Sequence, residues 1–315
     1  MRYFNLLLPA ALACRPATPG LEAPGQGPRR LPTGRVLDPV ATMRPVGQMP
    51  LGMVPSPDGR RVVLLLAGWR EQGLQVVDRE GRVTQTVPQP AAFIGLAFST
   101  DGHTLFASGG NGDVVYRYRW VADTAELVDS IVLAAREPNA DGTHYPAGLA
   151  LSPDGSLLYV AENLADSLAV VDVASATVVQ RLATGRYPYG VGVARDGLVL
   201  VSNWGASTLS VFAPAGGGQL VPELPLAVGR HPSALLVNAT GTRAFVASGS
   251  TDRITVVDTR ARRVVATLAD PPPAGPDEGT TPNALALSAD GTHCSPPKPM
   301  PTRWRCSFCP RRPPT

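Results

Sequence analysis

One turn recurs along this chain at a nearly constant interval. It stands at Pro57-Asp58-Gly59, Thr100-Asp101-Gly102, Pro153-Asp154-Gly155, Arg195-Asp196-Gly197, Ala239-Thr240-Gly241 and Ala289-Asp290-Gly291, at spacings of 43, 53, 42, 44 and 50 residues. Before each turn lies an apolar run; after it come a second run, a small or polar break, a β-branched run often closed by Asp, and a fourth run. Four short strands make an antiparallel sheet that can bury both faces only against copies of itself, and a strand-only period of this size is that of a β-propeller. The expected fold is therefore all-β, a β-propeller of four-stranded blades with five full repeats and the opening of a sixth, cut from a six- or seven-bladed parent ring. Each repeat opens on a Pro- or Gly-containing phrase, such as Pro146-Ala147-Gly148-Leu149 or Pro188-Tyr189-Gly190-Val191. The small third residue belongs where blades crowd the central channel.

A propeller of 315 residues is a single domain, and 32 Gly and 33 Pro suit many tight turns. The formal charge of +3 is small, Lys298 is the only lysine, and the arginines are scattered, so no nucleic-acid footprint stands out.

Residues 1–14, MRYFNLLLPAALAC, carry one positive charge and then an apolar run too short to span a bilayer, which reads as an export signal. Ala11 and Ala13 suit ordinary cleavage, whereas Ala-Leu-Ala-Cys resembles a lipobox that would make Cys14 a lipidated amino terminus and membrane tether. Residues 15–31 are a Pro- and Gly-rich flexible tether, residues 32–293 the propeller, and residues 294–315 an irregular tail. A strand near Arg35 to Leu37, or around Ala41 to Arg44, is expected to close the last blade. The expected location is the periplasm or cell envelope.

No nucleophile-base pair or phosphate-cradling loop is visible. His103, His144, His231 and His293 are dispersed, and Gly216-Gly217-Gly218 precedes no helix. The Asp-Gly aspartates are turn residues. Trp69, Trp120 and Trp204 sit at strand ends and read as core or rim packing. Two longer inter-blade segments, Ala134 to His144 and Asp270 to Thr281, read as tolerated surface loops. The repeat breaks at the channel mouth offer Asn111, Glu162, Asn163 and Asn203 as ligand candidates, and no catalytic residue, cofactor or metal site is assigned.

The phrases PAGLALSPDGSLLYVAENLADSLAVVDVASATVV and PNALALSADG resemble the YVTN-type repeats of the YncE family of exported bacterial β-propellers. The stretch from Leu31 to Tyr118 is similar to the propeller half of proteins that join such a ring to an alkaline-phosphatase-like phosphoesterase. The resemblance runs from about Leu31 to Gly291, and none of that enzyme's metal-binding residues follows. Instead the chain ends in THCSPPKPMPTRWRCSFCPRRPPT. Back-translated and read in another frame, Cys294 to Pro310 permits LAAEADANAVAVLVLP, which matches the Ala-Glu and Ala-Val pairs of the repeat. The tail thus reads as an out-of-frame extension, and Cys294, Cys306 and Cys309 as thiols without an evolved role rather than half a zinc site. The expectation is a non-catalytic platform for a protein or small-molecule ligand. The alternatives are a lactonase-type propeller enzyme with a channel-mouth site, or a non-functional truncated product.

Overall fold

The computed structural model describes residues 29–30, 36–37, 44–135, 141–270, 281–288, 293–295 and 304–305. The chain divides into two units, residues 1–43 and 44–315. In the first, Arg29–Arg30 pairs antiparallel with Val36–Leu37. The strand expected near Arg35 to Leu37 is thus present and pairs locally; Ala41 to Met43, from the other segment expected to close the last blade, lie outside the described residues. Pairing across five residues costs far less loop-closure entropy than pairing across the whole ring.

The second unit contains five four-stranded antiparallel sheets, each built from strands consecutive in sequence and set as propeller blades. The first blade is Pro50–Pro55, Val62–Ala67, Gln72–Val77 and Val83–Pro88; the second is Leu96–Phe98, Thr104–Ser108, Val114–Val121 and Thr124–Val132. Pro146–Leu151, Leu157–Glu162, Ser167–Asp172 and Thr177–Ala183 form the third. Pro188–Val193, Val199–Asn203, Thr208–Gly216 and Gln219–Pro222 form the fourth, with Leu226–Ala227 also paired to its third strand. The fifth is Pro232–Val237, Arg243–Ser248, Arg253–Asp258 and Arg263–Ala269. A sixth, partial sheet joins Ala286–Leu287, His293–Ser295 and Trp304–Arg305. The last two strands fall within or beside the segment expected to be irregular; the rest of that segment, Cys306 and Cys309 included, lies outside the described residues, as do Cys14 and the Asp290-Gly291 turn.

The turns between first and second strands behave as their composition requires. Gly59, Gly102, Gly155, Gly197 and Gly241 all have φ between +67° and +86°. Asp154 accepts from Ser152 Oγ at 2.6 Å and from the Ser156 amide at 3.1 Å, and Asp101 repeats this with Ser99 and His103. These hydrogen bonds, the serine hydroxyl's first, hold both carboxyls below the usual range.

First strands of successive blades lie side by side around the axis. A Cβ on Gly95 would sit 2.2 Å from the Ala147 carbonyl, and one on Gly148 2.5 Å from that of Tyr189, so the small third residue is required by backbone approach. Between blades the cores are apolar. Val63, Leu65, Leu74 and Val76 of the first blade meet Leu105, Ala107, Tyr116 and Tyr118 of the second. The same arrangement recurs between later blades, ending with Leu285 and Leu287 against Phe245, Ile254 and Val256. The first blade also has the opposite, receiving face. There Leu51 and Met53 are 41% and 72% exposed, although the corresponding strand of the third blade is buried over its first four residues.

Candidate rim site

One end of every blade carries its lead-in segment, the break between second and third strands, and the end of the fourth strand. The lead-ins share a pattern: Gly47-Gln48-Met49-Pro50, Gly185-Arg186-Tyr187-Pro188 and Gly229-Arg230-His231-Pro232, with Gly142-Thr143-His144-Tyr145-Pro146 one residue longer. The residue before each proline is left-handed: Met49, Tyr145, Tyr187, His231 and Thr281 have φ of 54°, 54°, 52°, 53° and 47°. Bulky L-residues reach this region at a cost of roughly 1–2 kcal/mol each, so the neighbours must hold them there.

The holding groups come from the preceding blade. Asp113 is wholly buried and accepts three backbone amides: Thr143 at 2.7 Å on Oδ2, and His144 and Tyr145 at 3.0 and 2.8 Å on Oδ1. Asp166 accepts the Tyr187 amide at 2.8 Å, and Asp252 the Thr281 amide at 2.8 Å. Gln72 does the same for Ala92 at 2.7 Å. Each aspartate is itself left-handed and stands just before a third strand, a conformation Asp tolerates better than most residues. These clamps were missed in the sequence, although their signal was there: an Asp immediately before Val114, Ser167 and Arg253.

The four channel-mouth candidates are placed as follows. Asn111 is exposed, donating to Asp141 at 3.2 Å and accepting the Gly142 amide at 2.8 Å, so it braces the loop leading into the third blade. Glu162 is wholly buried between blades, accepting from Ser167 Oγ at 2.6 Å and Arg181 Nε at 3.0 Å. Asn163 donates to the Pro188 carbonyl at 3.0 Å, tying its blade to the next. Asn203 is wholly buried and donates to Thr208 and Ser210 hydroxyls at 3.0 and 2.8 Å. The four do not converge. Pro146 pairs with Glu162, and Pro188 with Asn203, so Asn203 is the counterpart of Glu162, and Trp204 that of Asn163. Of the tryptophans, Trp120 is in the core, Trp69 is 95% exposed, and Trp204 is 40% exposed.

Aromatic and basic groups reach solvent at this rim, beside Asn111, Asp141 and Leu164. Trp204 stacks on His231, ring centroids 4.1 Å apart, and Arg186 lies 5.2 Å from the Tyr187 ring centre. Phe93 meets Tyr145 and Tyr189 edge-on at 5.1 and 5.7 Å. His231 Nδ1 lies 2.6 Å from Ser250 Oγ. A metal of the kind used by a lactonase-type ring would need convergent carboxylates and imidazoles; among the described residues no three His, Cys, Asp or Glu side chains come together. Both oxygens of Glu162 are already engaged, so the residues do not fit such an ion. A cavity of about 220 Å³ lies at the opposite end, lined by Arg60, Arg61, Asp78, Arg79, Glu80 and Asp123. Its charges are matched internally, Asp123 by Arg60 and Arg61 at 3.6 and 3.3 Å and Asp78 by Arg82 at 2.7 Å.

Comparison with known proteins gives three results. The family model described as SMP-30/gluconolactonase/LRE-like region matches residues 134–250, the third and fourth blades with their flanks. A crystal structure of a functionally unknown protein from Desulfotomaculum acetoxidans DSM 771 is 20% identical, with a TM-score of 0.58 over 76% of each chain. No curated protein matches. At that identity the structural likeness concerns the fold alone.

Proposed function

We propose that this chain is a non-catalytic binding platform whose clamped aromatic rim meets its ligand. The observation that carries this reading is the expenditure of strain at one end of the ring. Five bulky or branched lead-in residues are left-handed there; carboxylates fix three of them, Tyr145, Tyr187 and Thr281, and a stacked ring engages a fourth, His231. Strain maintained at repeat-equivalent positions of one face marks a preorganised surface. The amino-terminal signal adds export, with Cys14 as the point of attachment, and the likeness to propellers joined to phosphoesterases makes a docking role for an enzyme partner natural.

A second reading, a lactonase-type enzyme, draws on the family match over residues 134–250. One experiment separates them: the purified chain is assayed against a panel of aldonolactones with Ca²⁺, Mg²⁺, Mn²⁺ or Zn²⁺ supplied. The platform reading expects hydrolysis at the uncatalysed rate. Metal-dependent turnover abolished by Glu162→Gln would replace it with the enzyme reading. Export is tested by fractionation of cells expressing the chain and its Cys14→Ala variant. Recovery of both in the cytoplasm would remove that part.

A further inference from the structure

The lead-ins of the third, fourth and fifth blades carry more than a shared conformation. Each places a basic residue directly before a ring-bearing one: His144-Tyr145, Arg186-Tyr187 and Arg230-His231. The second of each pair is the left-handed residue, so the pair is presented by backbone fixed at blade spacing and not by a mobile loop. The first and sixth lead-ins, Gln48-Met49 and Thr280-Thr281, lack both charge and ring, which confines the feature to three adjacent blades.

The lead-ins of the fourth and fifth blades are also joined to one another. The amides of Trp204 and Gly205 donate to the carbonyls of Tyr187 and Arg186 at 2.9 and 3.0 Å, and Trp204 then stacks on His231 of the next blade. The Ser250 amide returns to the Arg230 carbonyl at 3.3 Å. Arg186 and Arg230 are exposed, and neither is in a salt bridge with a described carboxylate. Asp166, which clamps the fourth blade's lead-in, is turned to the Tyr187 amide. Beneath the surface, Asn203 Oδ1 and Ser248 Oγ are buried with no hydrogen-bond partner, against the lead-in glycines Gly185 and Gly229.

Resting on the platform reading, we infer that this surface binds a linear acidic glycan, one carboxylate-bearing sugar ring to each lead-in. A guanidinium takes a carboxylate in a two-pronged hydrogen bond, and an aromatic face takes the apolar face of a ring. Cation and ring stand close together here, the Arg186 guanidinium carbon 5.2 Å from the Tyr187 ring centre and over one face of it, so a ligand meeting both carries its charge close to the ring that lies on the free face. A uronic acid unit does so. A polynucleotide separates phosphate from base by a sugar and asks for a longer basic track than three pairs.

The test is titration calorimetry of the whole chain with tetragalacturonate, its methyl ester, and a short oligo-dT. Binding of the acid form alone is expected, weakened about tenfold in an Arg186→Gln/Arg230→Gln double variant. Arg60→Gln at the opposite end should leave the affinity unchanged, and urea midpoints confirm that each variant is folded. No binding of the acid form, equal binding of the methyl ester, tighter binding of oligo-dT, or indifference to the double variant would each overturn the inference. Those failures leave the platform reading standing, since that reading is decided by metal-dependent lactone turnover and by the order of the rim, not by this ligand.

Discussion

Replacing Asp113 by alanine is the sharpest perturbation of the blade clamps. The side chain is wholly buried and accepts three amides, from Thr143, His144 and Tyr145, at 2.7 to 3.0 Å. Charge-assisted bonds contribute about 1.5 kcal/mol each net, which sets a ceiling of about 4–5 kcal/mol. Two effects reduce it: the exposed Thr143 segment regains water, and the desolvation of a buried carboxylate is relieved. The expected loss is about 3 kcal/mol. Asp113→Asn keeps an acceptor for the His144 and Tyr145 amides but turns an NH₂ toward that of Thr143, so about 1–2 kcal/mol is expected. Asp166→Ala, losing a single amide bond to Tyr187, should cost about 1 kcal/mol. Urea denaturation followed by far-UV circular dichroism measures all three. A loss below 1 kcal/mol for Asp113→Ala, or one no larger than that of Asp166→Ala, would refute the clamp as the source of rim order.

Three further outcomes are expected. Gly95→Ala should destabilise by about 2–3 kcal/mol, because the new Cβ would lie 2.2 Å from the Ala147 carbonyl; Gly59→Ala, with φ +67° and open space around it, should cost only about 1 kcal/mol in the same assay. The carboxyls of Asp101, Asp154, Asp172 and Asp258 sit below their ordinary values through serine and backbone hydrogen bonds. Their contribution is complete above the unfolded value near about 4 and is lost as pH falls through the lower folded values, so the urea midpoint should hold from pH 7 to about 5 and drop below about 4. Met53→Asp, placed on the free receiving face where Met53 is 72% exposed, should reduce self-association in sedimentation velocity without lowering the urea midpoint.

The blades were legible because their determinants are local. An Asp-Gly turn fixes a left-handed glycine, and a short apolar run buried on both faces fixes a strand between neighbouring blades, so five sheets could be counted from residues such as Asp154, Gly155 and Leu157 to Val160. The third-place glycines were also readable, because only a missing Cβ permits the approach of Gly95 to Ala147. The rim was less so. Glu162 and Asn163 looked like channel polar groups, yet alternation turns Glu162 into the space between blades, where Arg181 meets it. Asn203 and Asn163 are both asparagines at a repeat break, but the bulge in each first strand decides the register, and Asn203 falls opposite Pro188 as Glu162 falls opposite Pro146. The clamps were hidden for another reason. Asp113 and Tyr145 are 32 residues apart and belong to different blades, so nothing in either local pattern announces their contact.

Amide hydrogen exchange at the lead-in residues tests the clamped rim most directly. The Tyr145, Tyr187 and Thr281 amides lie outside any strand ladder but bond to Asp113, Asp166 and Asp252, whereas the Met49 amide at the equivalent place bonds to none of the described residues. Protection of the first three by at least about a hundredfold over Met49 is expected. Exchange of all four at the rate of an open chain would mean that the rim is not held, and that its aromatic and basic groups are not preorganised to bind anything.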